Sequence, residues 1–440
     1  MSNEFHDGVV ALREMALNGL RQGDVVQAEQ YFMQLLELTP GDVDALQFLA
    51  SRQLVRGDGM RAVAMLLTAE QANPKNANTL HQLGTAQMAT GDMHGAVRNL
   101  RRAIELAPQM FVARLRLGIA LERLRETHDA LIAYFSAVNI AQAQGQWLGD
   151  TTTPPGLRDV VKQAIRFIDA GRHQLFDQVL EPLRQRYGRS ELSRVEDCLA
   201  IYLGEKEAFL PDSRQKPKFL YFPGVPSQAY YGSERFPWHA QLEAATEMIR
   251  KELREVLAEN LPLQPFLEAN SPAELDGHLR ASGDQAAAWD AYFFYRHGVR
   301  YDEHCARCHG TSSLLEALPL VRIRDHAPET LYSVLRPGTH ILPHRGVTNT
   351  RLVTHLPLIV PSDCALRVGG ETHVWQGGRC VTFDDTFEHE AWNESTETRV
   401  VLIADSWNPD LSEVEQAAVT DLVEAIGDFN RASEVPTPMG

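Results

Sequence analysis

Along the first 142 residues, apolar positions recur at helical spacing, as in AVRNLRRAIELAP over residues 96–108. Three columns of residues repeat with the same 34-residue step. Pro40, Pro74 and Pro108 form one column, and Gly23, Gly57 and Gly91 form a second, with Arg125 in the fourth place. Ala28, Ala62, Ala96 and Ala130 form the third. Chance seldom gives three columns in one register. A turn residue between two helices, a small residue where they approach and a Pro that ends the second helix explain the columns. After the breaker Pro154-Pro155-Gly156, two more segments carry helical periodicity: LRDVVKQAIRFIDAGRHQLFDQVLEPLRQRYG and ELSRVEDCLAIYLG. From KFLYFPGVP onward the pattern changes to short β-rich runs with Gly, Pro, Asn and Asp between them, such as TRLVTHLPLIVP and ETRVVLIADSW. One helical insert, HAQLEAATEMIRKELREVL, interrupts them near their start.

The 34-residue period is the signature of tetratricopeptide (TPR) repeats, each a pair of helices that stacks on the next. Three full units and a degenerate, capping fourth are expected. Many short strands at close spacing predict a sandwich or barrel, jelly roll included, with an open mouth suited to a small molecule. The expected organisation is a helical repeat domain over residues 1–148, a helical spacer over 149–216, a β-rich domain over 217–430 and a flexible tail over 431–440. The expected fold class is therefore multidomain α + β, an α-solenoid followed by a jelly-roll domain.

Composition narrows the function. With 44% hydrophobic and 23% charged residues the chain is globular rather than disordered. A net charge of -16 argues against non-specific nucleic-acid binding, which needs a basic footprint. No run of about 18 apolar residues suggests a membrane span. The start, MSNEFHDGVVALREMALNGL, does not read as a signal peptide. A cytoplasmic protein is expected, and five Cys do not make a disulfide scaffold.

Nine of the sixteen His lie between residues 297 and 389. HExxH is absent, and no His is followed two residues later by Asp or Glu, so neither a zincin nor the usual His-x-Asp/Glu facial triad is present. Cys305-Ala-Arg-Cys308-His309 matches the haem-attachment pattern or half a zinc site. Haem attachment needs export, and Cys364 and Cys380 are too far apart to complete a zinc pair, so a structural loop thiol pair is expected.

The segments PGTHILPHRGVTNTRLVTHLPLIVP and FDDTFEHEAWNESTETRVVLIADSW carry a more specific signal. With YFPGVP and RFPWHAQLEAATEMIRKEL before them, they resemble the catalytic domain of the aspartyl/asparaginyl β-hydroxylases. That family comprises Fe(II)- and 2-oxoglutarate-dependent dioxygenases on a double-stranded β-helix, a cupin-like jelly roll. The resemblance runs from about residue 221 to 412, and a TPR array ahead of the domain also resembles family members. It accounts for the missing triad, because the family holds iron with two His and has Gly in the carboxylate place. By that resemblance His344, with Gly346 two residues on, and His389 are the metal ligands. Asp385 would position a metal-bound water, and Arg399, Ser333 and His355 would bind 2-oxoglutarate. The family often has Arg-x-Arg-x-His, whereas here Val353 stands between Arg351 and His355. Arg351 is the candidate grip for an acidic substrate side chain, and Arg367 a candidate to compensate for Val353.

The resemblance implies an enzyme that uses Fe(II), 2-oxoglutarate and O2 to hydroxylate the β-carbon of Asp or Asn. Its expected partner is a peptide or protein recruited by the TPR surface. Two alternatives stand beside it: a TPR adaptor with a catalytically degenerate jelly-roll domain, and a hydroxylase of a free amino acid or acyl chain.

Overall fold

The computed structural model describes residues 2–259, 263–267, 277–282 and 286–435. Two compact units emerge, one of residues 1–173 with 431–435 and one of residues 174–430.

The helical unit holds four consecutive helix pairs. They are α1 (Ser2–Arg21) with α2 (Val25–Leu38), α3 (Val43–Val55) with α4 (Gly59–Ala72), α5 (Ala77–Thr90) with α6 (Met93–Leu106), and α7 (Phe111–Arg123) with α8 (Thr127–Ala143). The repeat columns acquire physical roles here. Gly23, Gly57 and Gly91 turn between paired helices at φ of +79°, +82° and +86°, a backbone region that glycine enters at little cost. Arg125 holds the same place at φ +63°. The next residue caps the second helix: Asp24, Asp58 and Asp92 accept from the backbone N–H groups of Gln27, Arg61 and Gly95. The fourth place is Glu126, which makes no such bond, so the last pair departs from the pattern at both turn positions. Ala28, Ala62, Ala96 and Ala130 are fully buried. The helical spacer expected after the repeats comprises α9 (Arg158–Tyr187) and α10 (Ser193–Tyr202). The compact units divide inside α9, between His173 and Gln174.

The second unit contains α11 (His239–Ala244), α12 (Thr246–Ala258), α13 (Asp302–Arg307), α14 (His309–Glu316) and α15 (Glu413–Ala432). The last of these carries helix through residues 431 and 432, where a flexible tail was expected. Residues 436–440 of that tail lie outside the described residues.

Its strands are β1 (Tyr230–Tyr231), β2 (Gln264–Pro265), β3 (Leu279–Ala281), β4 (Trp289–Arg296), β5 (Val299–Arg300), β6 (Thr330–Leu335), β7 (Thr339–His344), β8 (Arg351–Ile359), β9 (Cys364–Val368), β10 (Glu371–His373), β11 (Val381–Phe383), β12 (His389–Asn393) and β13 (Arg399–Trp407). The larger sheet runs β1-β11-β8-β13-β6-β4-β2, with β5 on β4. The smaller runs β10-β9-β12-β7-β3. From β6 to β13 the chain passes back and forth between the two sheets, and every ladder is antiparallel. That is a double-stranded β-helix.

Alternation along β13 separates two cores. Val400, Leu402 and Ala404 pack outward with Leu242, Ile249 and Leu253 of the helices. Val401 packs inward with Ile341, Leu366 and Phe383 between the sheets. Burial on both faces explains why β13 reads as an almost continuous apolar run. Cys305 and Cys308 are free thiols buried in the outer core, in and beside α13. The sequence read them as a loop pair. They pack instead as small apolar side chains, and burial pushes the Cys308 thiol up to about 12.

Candidate active site

A cavity of about 370 Å³ opens between the two sheets. Ser333, His344, Arg351, Val353, His355, Asp385, His389 and Arg399 all line it, whereas Arg367 does not.

His344 ends β7 and His389 begins β12, and the two are paired directly in register. Their ring centroids lie 4.0 Å apart. The Nδ1 of each ring meets a carbonyl oxygen two residues earlier: Leu342 O at 2.8 Å for His344, Phe387 O at 3.1 Å for His389. A carbonyl only accepts, so both Nδ1 atoms carry the proton and both Nε2 atoms keep a lone pair. Burial lowers the His344 pKa to about 3 and that of His389 to about 4, so both rings are neutral, the form that binds metal. A bulge makes the pairing possible. His389 opposes His344 but Ala391 opposes Ile341, so three steps on β7 match two on β12. Ile341 and His344, an odd number of residues apart, thereby both line the cavity. Pro343, which has no N–H to offer a ladder, sits within the bulge.

Asp385 fills the place that a side chain at residue 346 would take. A Cβ added to Gly346 would lie 2.1 Å from the Asp385 carboxyl group, and Gly346 N donates to Asp385 O at 2.6 Å. Among the described residues the buried Asp385 Oδ1 has no hydrogen-bond partner. Burial raises the Asp385 pKa, while Arg351 and Lys218 counter the rise.

Arg399 is fully buried on the inward face of β13. Its Nη1 donates to Ser333 O and Ser333 Oγ, both at 3.3 Å, and its guanidinium lies 5.0 Å from the Trp375 ring centroid. Its Nε is unpartnered, and among the described residues it has no carboxylate partner. Burial pulls its pKa down to about 10. Ser333 Oγ also accepts from Trp289 Nε1 at 2.9 Å. His355 is buried on β8 with an unpartnered Nδ1 and is held well below its ordinary pKa, first by burial and then by Arg399.

Two expectations change. Arg351 is no open grip: its Nη1 donates to Asp405 Oδ2 in a buried ion pair. The same Asp405 oxygen accepts from Glu329 N at 3.1 Å. Arg367 cannot stand in for the missing arginine at 353. It is exposed on β9 and bonds Glu390 and Thr372, because its parity points it away from the cavity. Asp405, Glu329, Trp289 and Trp375 were missed in the sequence. Only Asp405 carried a signal there, being six residues from Arg399 and so on its face of the strand.

Fold and site together define a jelly-roll protein with a two-histidine cavity. A family model for Aspartyl/Asparaginyl beta-hydroxylase matches residues 243–409, and a tetratricopeptide repeat model matches residues 77–110. Aspartate beta-hydroxylase domain-containing protein 2 of Rattus norvegicus is 30% identical over 262 residues, which is 58% of this chain and 72% of that protein. Aspartyl/asparaginyl beta-hydroxylase of Homo sapiens is 37% identical over 138 residues, 31% of this chain but 18% of that protein. Ornithine lipid ester-linked acyl 2-hydroxylase of Rhizobium tropici is 33% identical over 182 residues, 41% of this chain and 60% of that protein. Among solved structures, the match to that of the MamA protein covers 47% of this chain and 100% of that one, at 17% identity and a TM-score of 0.32. The chain belongs to the aspartyl/asparaginyl β-hydroxylase family and carries TPR repeats ahead of the family's domain. Among the described residues, no helix is long and apolar enough to cross a membrane.

Proposed function

We propose that this chain is an Fe(II)- and 2-oxoglutarate-dependent hydroxylase. It acts on the β-carbon of an Asp or Asn residue in a peptide or protein recruited by the TPR array. One observation carries the reading: a buried cation without a carboxylate partner, Arg399, shares a cavity with two imidazoles whose tautomers are fixed for ligation. The residues fit the groups they would hold. Arg399 Nε, His355 Nδ1 and Asp385 Oδ1 are buried polar atoms without partners among the described residues. Such atoms are costly unless a ligand or water satisfies them.

His344 and His389 would hold the iron through their Nε2 atoms. Arg399 and Ser333 would anchor the far carboxylate of 2-oxoglutarate, a pairing for which a guanidinium fork is suited. His355 would face its other end. Asp385 offers an acceptor that can orient a water beside the two imidazoles. The apolar lining of Trp289, Ile341, Phe383 and Ile403 excludes bulk water. When bound, iron and 2-oxoglutarate supply the oxidising chemistry: O2 is consumed, an unactivated C–H becomes C–OH, and succinate and CO2 are released.

The test is succinate formation from 2-oxoglutarate with added Fe(II). The reading expects turnover by the natural protein and none by His344→Ala; equal turnover by both, or none by either, would sink it. A second reading, an acyl chain as substrate, draws on the match to the Rhizobium tropici hydroxylase and on the apolar lining. Turnover stimulated by an acylated lipid and by no peptide would favour it. The intact set of Ser333, His344, His355, His389 and Arg399 speaks against a degenerate adaptor domain.

A further inference from the structure

Within this cavity the two ends differ in charge, and the difference bears on the target side chain. Arg399 and Asp405 lie on one face of β13, six residues apart. At strand rise that is roughly 20 Å. The Arg399 end suits the cosubstrate. At the opposite end Arg351 is paired with Asp405; Glu329, whose Oε1 accepts from His297 N at 2.6 Å, and Asp385, beside the two imidazoles, also line the cavity. One buried cation therefore faces three carboxylates. Val353, between Arg351 and His355 on the strand, adds no charge. Besides Arg399, the other cations of the lining are Lys218, which is exposed, and Arg345, which donates to Arg214 O and Glu388. Water weakens the pull of an exposed charge such as Lys218.

We propose that the target side chain is the neutral carboxamide of Asn, and that the carboxylate of Asp is rejected. The proposal rests on the hydroxylase reading and narrows it. A carboxylate entering this end would shed its hydration and meet a wall of net negative charge whose one cation is already paired. A carboxamide sheds less, and its N–H donors suit a wall rich in carboxylate acceptors. A buried polar set made for one partner discriminates against an analogue that cannot satisfy it.

The experiment offers the full chain, Fe(II) and 2-oxoglutarate two synthetic peptide libraries that are identical except for a central Asn or Asp. The readout is the one-oxygen mass gain at that residue, with succinate release followed in parallel. The natural protein is expected to hydroxylate the Asn library at least about tenfold faster than the Asp library, a discrimination of modest size for a buried polar contact. Asp405→Asn, which frees the Arg351 charge, is expected to move the ratio toward Asp. Because that variant leaves a buried cation uncompensated, Val353→Arg serves as a second arm. It adds a cation to the same face without breaking the pair, and the same shift is expected. The proposal is overturned if the natural protein prefers Asp or treats both alike. It is also overturned if neither library is hydroxylated while succinate release proceeds, or if a folded variant leaves the ratio unchanged. Absence of any succinate release would instead remove the hydroxylase reading and this inference with it.

Discussion

The cavity contains two buried arginines that the fold treats in opposite ways. Arg351 is neutralised from within, by an aspartate 54 residues away on the neighbouring strand. Arg399 is left with a serine, a carbonyl and the face of a tryptophan. Burying a guanidinium is expensive in either case, but the protein meets the cost at one end only. The contrast separates a cation that holds the wall together from one that has no carboxylate partner among the described residues and that the proposed cosubstrate would neutralise. It also explains why two arginines on adjacent strands with inward parity should not share one role.

The largest effect is expected where both ends meet the shared centre. His389→Ala should reduce succinate formation to background while leaving the fold intact, as judged by circular dichroism; residual turnover near the natural level would detach the histidine pair from the chemistry. Next, Asp405→Asn should cost about 3–5 kcal/mol of stability, because it strands Arg351 without its partner. Urea unfolding would measure it, and a loss under about 1 kcal/mol would mean that Arg351 does not depend on the pair. Third, Arg399→Met should weaken 2-oxoglutarate binding by roughly 30- to 160-fold, the usual worth of a charge-assisted pair at about 2–3 kcal/mol. Calorimetry on the intact chain reads that loss directly.

A pH effect should come from outside both ends. His239, buried against Thr382 Oγ1 at 3.0 Å, is held down at about 4 by burial, against about 6.5 when unfolded. The unfolded chain then binds the extra proton between those values, so stability should fall as pH drops from 6.5 to 4. The expected loss is on the order of 3 kcal/mol, and His239→Gln should flatten that part of the profile. The smallest effect sharpens the comparison most: the same Arg399→Met that loses 2-oxoglutarate should stabilise the ligand-free protein by about 1 kcal/mol. If both arginine ends lose stability on truncation, the distinction between them fails.

The sequence reveals more of the repeats than of the cavity walls. A 34-residue column repeats one local solution, so Gly, Asp and Ala declare turn, cap and close approach without tertiary knowledge. The inward set of Ser333, His344, His355, His389 and Arg399 is legible because its flanking motifs are long and its strands alternate. Arg367 misled because strand parity turns it away from the cavity, and the parity of β9 was not applied to it. Cys305 and Cys308 misled because a motif pattern hid their apolar role. The Arg351–Asp405 pair and the indole donor of Trp289 were out of reach for another reason. Each joins strands far apart in the chain, and only sheet order decides that β8 lies beside β13 and β4 beside β6.

The bulge on β7 has a genetic consequence. Side-chain direction in a strand is a matter of odd and even, and the extra residue between Ile341 and His344 resets that count once. Loss of a single codon there, whether Leu342 or Pro343, would turn the first histidine outward while leaving every functional residue in the gene. Such an allele would look complete by residue inventory and yet be inactive. Insertion of one residue in the same stretch should restore it where no substitution could.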